Sequence, residues 1–150
     1  MNQAKPHFVR PGFAARTVNR IYGWLAGVGL GPSYGYLLQV TGRKTGRTHS
    51  TPVNVLRRER KLFLVATRGH TEWSRNALAD GRIVLKKGRV RLQFSARVVP
   101  DAEKPEILKA YLERFNWMVR RFFPVPANAA LSAFAEISGR YPVFELIRYP

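Results

Sequence analysis

Seven residues, Thr41-Gly42-Arg43-Lys44-Thr45-Gly46-Arg47, constrain this chain more than any other stretch. They set two cations between two glycines and a third directly after, with an apolar run at 36–40 before them and a Thr-Pro-bearing segment behind. A second apolar run follows at 62–67. Glycine takes positive φ without steric cost, so glycines at both shoulders let two strands fold back on each other and let backbone N–H groups converge at the tip. Converging amides with Arg and Lys make an anion site. The spacing is neither that of a Walker loop nor that of a dinucleotide-binding GxGxxG turn, so a different phosphate-bearing ligand is implied. The same run also fits a solvated basic hairpin tip, because charge runs commonly face water.

Periodicity along the chain extends the strand pattern. Residues 50–56 alternate, with Pro52 pointing to a sheet edge or bulge because proline cannot donate to a ladder. Residues 61–67 form a continuous apolar run, expected to be covered on both sides and to lie at the centre of the sheet. Thr71 is placed to cap a helix over 72–79 that closes at Asp80-Gly81. After a short strand at 82–85 and the turn Lys86-Lys87-Gly88, strict alternation predicts a half-buried strand. Val90, Leu92, Phe94, Ala96 and Val98 face the core, and Arg89, Arg91, Gln93, Ser95 and Arg97 face water. A helix follows with Ile107, Leu108, Tyr111, Leu112 and Phe115 on one stripe and Pro105 in its first turn. A basic and apolar stretch at 117–123, a short helix at 128–137 and a last strand near 141–147 complete the chain. Five or six mostly antiparallel strands with flanking helices give an α+β fold, a split β-barrel.

Ahead of this lies an arm and helix over residues 1–30, so the expected division is 1–30 and a barrel domain 31–150. Ala14, Val18, Ile21, Leu25 and Val28 share one helical stripe. The apolar part is shorter than the roughly 20 residues a membrane span requires. No A-x-A-like cleavage site follows before Pro32, so a secretory signal is not expected. Trp24 and Tyr22 opposite arginines allow the helix to lie on an anionic membrane or to pack on the domain's own core.

Charge narrows the ligand. The 150 residues hold 26 Lys and Arg against 9 Asp and Glu, a net charge of +17, which draws polyanions of any kind. With no cysteine and three scattered histidines, neither disulfides nor a metal centre is expected. An apolar content of 45% supports a folded core.

Several motifs in order carry a family resemblance: Val40 to Arg47, Thr51-Pro52-Val53, Val65-Ala66-Thr67-Arg68-Gly69, the run from Thr71 to Leu78, Ala110-Tyr111-Leu112 and Pro142-Val143-Phe144. Across residues 35–146 the chain resembles the deazaflavin-dependent nitroreductases. The resemblance implies a split barrel that binds the 8-hydroxy-5-deazaflavin coenzyme F-420 and passes hydride from its reduced form to a quinone-like, nitro or other small-molecule acceptor. It also implies cofactor contacts from Gly42, Arg43, Lys44, Thr45, Gly46, Arg47, Pro52, Val53, Ala66, Thr67, Arg68, Thr71, Trp73 and Asn76. The coenzyme's phosphodiester and polyglutamate tail are anionic, matching Arg43, Lys44 and Arg47. Trp73 also suits a core anchor, Asn76 a helix surface. Hydride transfer asks position and electrostatics of the protein, not a nucleophile. Tyr141 and Tyr111 are the candidate catalytic residues, as proton donors. The short loop from Arg68 to Glu72 departs from the family's longer one ending in a His-Pro pair, which leaves the acceptor class open.

Other expectations stand beside this one. FMN also presents a phosphate to a cationic turn, and the barrel could hold a cofactor or lipid without turnover. The basic face of Arg89, Arg91 and Arg97 suits nucleic acid, although no recognised nucleic-acid motif accompanies it. A homodimer follows by analogy with other split barrels, and the expected location is cytoplasmic, peripheral on the inner membrane face.

Overall fold

In the computed structural model, which describes residues 33–149, the glycine-shouldered turn joins two antiparallel strands in the expected way. Strand β1 (Gly35–Thr41) pairs with β2 (Thr48–Asn54) along its whole length, from Gly35 opposite Asn54 to Thr41 opposite Thr48. Then come β3 (Leu56–Arg58), β4 (Lys61–Val65), α1 (Glu72–Asp80), β5 (Arg82–Lys87), β6 (Val90–Val98), α2 (Lys104–Val119), α3 (Leu131–Ile137) and β7 (Val143–Arg148). All strand pairs are antiparallel, in the order β2-β1-β5-β6-β7-β4-β3. The fold is the α+β split barrel that the sequence predicts. The helix expected within residues 13–28, and any membrane attachment through it, lies outside the described residues. Among the described residues no helix is long and apolar enough to cross a membrane.

The sheet's two outer strands are consecutive in the chain. Only Val55 separates β2 from β3, and its N–H donates to the Tyr34 carbonyl at 2.9 Å. One bent strand therefore serves both margins, its first half laddered to β1 and its second to β4. Pro52 sits on β2, at the margin where a missing N–H costs no ladder bond.

Two apolar clusters follow from this curl. Inside the barrel, Leu38, Val40, Leu64, Ile83, Leu85, Phe94, Phe144 and Leu146 pack together with Ala77 of α1. Outside it, Phe63, Val65 and Val143 meet α2 and α3 through Ile107, Leu108, Leu112, Phe115 and Phe134. Burying a large apolar side chain contributes about 1.5–3 kcal/mol, so both layers hold the fold.

Two sequence expectations change. The run at 61–67 is covered on both sides, but β4 ends at Val65 and lies one strand from the margin, not at the centre. Its second cover is the α2–α3 layer, which makes a near-marginal strand as apolar as a central one. In β6 the alternation holds in the middle, where Phe94 is buried, and fails at the ends, where Val90 and Val98 are 55% and 51% exposed. Those residues run past the barrel's interior.

Helix α1 starts and stops on the residues the sequence marks. Thr71 accepts a hydrogen bond from the Ser74 N–H, and Gly81 closes the helix at φ 72°. Helix α2 is interrupted at buried Phe115 (φ −118°, ψ 24°), so residues after it run in a new direction into the 3-10 turn Arg120–Phe122.

Candidate active site in the split of the barrel

Where the bent strand leaves β4, the barrel stays open. Beyond Val55, β2 follows β1, and β3 covers β4 only as far as Phe63. The opening is a cleft of about 740 Å³, within the range of ligand sites. One wall is β2 from His49 to Asn54. The other is Leu64 and Val65 of β4, continued by Thr67 and Arg68. Both carry strand edges that no ladder uses, so backbone donors and acceptors line an otherwise apolar slot. Thr71, Glu72, Trp73 and Asn76 of α1 close one end. Tyr111, Met118, Val119, Arg121 and Phe122 close the side facing α2.

The cationic turn is pinned rather than free. The N–H of Gly42 donates to the Arg47 carbonyl at 2.7 Å, that of Gly46 to the Gly42 carbonyl at 2.9 Å, and that of Arg47 to Thr45 Oγ1 at 3.2 Å. The Arg43 N–H donates to Asn76 Oδ1 at 3.1 Å. The expected ring of converging free amides is thereby reduced to those of Lys44 and Thr45 at the tip. Glycine is favoured at both shoulders, strictly by backbone at Gly46 and by a movable neighbour at Gly42. Gly46 has φ 71°, and a Cβ on Gly42 would lie 2.7 Å from His49 Nε2.

Arg43 is also committed. Its Nη1 donates to Asn76 Oδ1 at 2.7 Å and to Glu72 Oε2 at 2.9 Å. Asn76, expected on the helix surface, is 4% exposed and ties the turn to α1. The hydrogen bond from Arg43 holds the Glu72 carboxyl below its ordinary range, with Lys44 and Arg75 adding to the effect. Among the described residues, Lys44 is the cation of the turn that lines the cleft without a carboxylate within ion-pair distance, although its charge is felt at Glu72.

Twelve of the sequence-predicted site residues meet at the cleft: Gly42, Arg43, Lys44, Thr45, Pro52, Val53, Thr67, Arg68, Thr71, Trp73, Asn76 and Tyr111. Gly46 and Arg47 sit on the turn's outer side. Ala66 is 1% exposed beneath the cleft, its N–H donating to the Pro142 carbonyl. Tyr141 is placed in the outer core, stacked on Phe123 at 4.7 Å, with its hydroxyl donating to the Phe122 carbonyl. Burial raises its pKa. Trp73 both lines the cleft and packs against Phe144, ring centroids 5.9 Å apart.

Sequence reasoning missed the α2 wall. Met118, Arg121 and Phe122 fall in a stretch of mixed basic and apolar residues whose direction depends on the break at Phe115. The signal available was that mixture itself, too apolar for a plain solvent face. Arg68 and Arg121 both approach the Phe122 ring, their Cζ atoms 5.3 and 4.8 Å from its centroid. Burial, and then Arg121, lower the pKa of Arg68.

A slot with polar strand edges, aromatic and aliphatic walls and cations at its ends suits a planar cofactor with an anionic tail, so the residues present fit a deazaflavin. Fold and cleft together are those of the split-barrel flavin and deazaflavin oxidoreductases. The family described as F-420H(2)-dependent quinone reductase matches residues 14–119, and the chain belongs to it. It is accordingly an oxidoreductase that works with a deazaflavin cofactor of the F-420 type. Solved structures share the fold at low identity. A structure of an F-420-H2 dependent reductase is 19% identical, covering 76% of this chain and 94% of that one at a TM-score of 0.53. A domain-swapped dimer is 17% identical over 89% and 96%, with a TM-score of 0.56. A FAD-binding protein from Mesorhizobium loti is 12% identical over 79% and 83%, with a TM-score of 0.51. No curated protein sequence matches the chain.

Proposed function

We propose that the protein reduces a quinone-like, nitro or other small-molecule acceptor with reduced F-420, and that the split between β2 and β4 is where the two molecules meet. The observation that carries this is the cleft itself, open at the divergence of the bent strand and edged by unladdered backbone. The cofactor supplies the hydride when bound. The chain's residues hold and orient. Lys44 and the amides and hydroxyl at the turn's tip grip the anionic tail, with charge-assisted bonds of about 1.5–3 kcal/mol each when well aligned. Val53, Leu64 and Trp73, which line the cleft, would hold the ring and exclude water. Asn76 and Glu72 keep Arg43 in place behind the turn. Tyr111 lines the cleft and is the tyrosine assigned as proton donor, while Tyr141 supports the wall through the Phe122 carbonyl.

A homodimer belongs to the same proposal, supported by the domain-swapped dimer among the similar structures. Titration of F-420 and FMN side by side against one preparation tests the coenzyme assignment. Oxidation of reduced F-420 by menadione, read as the return of visible absorbance, tests turnover. Light scattering across a concentration series tests the dimer. Tight binding of FMN with none of F-420 would overturn the coenzyme assignment.

A further inference from the structure

We propose that the acceptor is a planar molecule carrying a carboxylate, sulfonate or comparable anionic group, held by the Arg68 and Arg121 guanidinium groups beside the Phe122 ring. This deepens the reading that the cleft takes an acceptor together with the coenzyme. Among the described arginines, four meet carboxylates: Arg43 and Arg75 meet Glu72, Arg58 meets Glu59 and Glu106, and Arg97 meets both Glu103 and Glu145. Among the described residues no carboxylate reaches Arg68 or Arg121, although the two lie over one ring and line the same cleft.

Two guanidinium groups sharing one neutral ring repel each other, and the partial burial of Arg68 strengthens that repulsion on its side of the ring, while Arg121 stays exposed. Burial first, and then the charge of Arg121, lower the pKa of Arg68. A ligand anion between them relieves the repulsion with bidentate, charge-assisted hydrogen bonds, the geometry in which guanidinium excels. The pair is built, not incidental. The Phe122 carbonyl accepts a hydrogen bond from buried Tyr141, which fixes the backbone that carries both Arg121 and Phe122. Met118 and Val119 supply the adjoining apolar wall for a flat ring system. With the β1–β2 turn and Lys44 gripping the coenzyme's tail as proposed, Arg121 lies on a different element, at the side of the cleft facing α2.

The test compares anthraquinone-2-sulfonate with neutral 2-(hydroxymethyl)anthraquinone, first by calorimetry on the protein without coenzyme. The sulfonate is expected to bind at least about tenfold more tightly at low salt, as one or two charge-assisted bonds require, and to lose that advantage at high salt. Arg121→Gln, at an exposed position, should make the two quinones bind alike while the F-420 dissociation constant stays as in the parent; Arg68→Gln should likewise remove the sulfonate preference. Equal binding of the two quinones by the parent protein overturns the proposal. So does an F-420 affinity that falls in step with the lost sulfonate preference, since the arginines would then hold the coenzyme. A sulfonate preference that persists where F-420 fails to bind supports the arginine site and removes only the coenzyme reading.

Discussion

Asn76 Oδ1 accepts two hydrogen bonds from one residue, the main-chain N–H of Arg43 at 3.1 Å and its Nη1 at 2.7 Å. A buried side chain on α1 thus fixes both backbone and side chain of a turn 33 residues away in sequence. Asn76→Ala should cost about 1–3 kcal/mol, because it strands a partly buried N–H and a guanidinium. Coenzyme affinity should fall as the turn loosens. Asn76→Asp keeps an acceptor in place and should retain the turn; thermal melts and F-420 titrations of both variants check this.

Gly42 has no room for a side chain while His49 keeps its place. The Cβ of Gly42→Ala would meet His49 Nε2 at 2.7 Å and His49 Cδ2 at 2.9 Å. Overpacking costs about 1–3 kcal/mol where the neighbour cannot move, and Gly42→Ala should cost less than that, because the imidazole it meets is the end of a flexible, exposed side chain. His49 is exposed, so His49→Ala in the Gly42→Ala background should restore most of the lost stability. A double variant as unstable as the single one would show that backbone strain, not the imidazole, is responsible.

Glu72 places a negative charge at the mouth of an anion-binding cleft while steadying Arg43. Asn76 still holds Arg43 in Glu72→Gln, so that variant should bind F-420 more tightly, by roughly two- to fivefold at low salt, an exposed-pair magnitude. The sign for pH follows from the depressed carboxyl pKa. The parent's Glu72 stays ionised at and below the ordinary value of 4.5, so the parent's handicap against Glu72→Gln should be constant from neutral pH down through 5 and shrink only below that. Binding isotherms across pH for the two proteins check it.

Tyr141 donates its hydroxyl to the Phe122 carbonyl from a site that raises its pKa. Tyr141→Phe should lower stability by about 0.5–1.5 kcal/mol, the net worth of one such bond. A raised folded pKa means that this contribution is complete below the unfolded value of 10.0 and is lost as pH rises through the folded one. The stability gap between parent and variant should therefore narrow above pH 10, measured by denaturant unfolding. A gap that widens with alkali would contradict the hydrogen-bond assignment.

Much of the fold is legible locally. The turn shoulders Gly42 and Gly46, the cap at Thr71 and the αL closure at Gly81 each depend on one residue's own chemistry. What is hidden depends on distant partners. Asn76 reads as surface because its helical position says nothing of Arg43, which arrives from another element. The run at 61–67 reads as central because apolar character reports cover, not strand order. Phe115 carries no proline or glycine to announce a break, so the Arg121 and Phe122 wall stays invisible until the chain is folded.

Val55 has a further consequence. Because a single residue joins β2 to β3, the two margins of the sheet are tethered to each other at one end of the cleft. Lengthening the chain at that one position would slacken the tether and put the Val55 N–H bond to Tyr34 at risk, while the ladders to β1 and β4 on either side could persist.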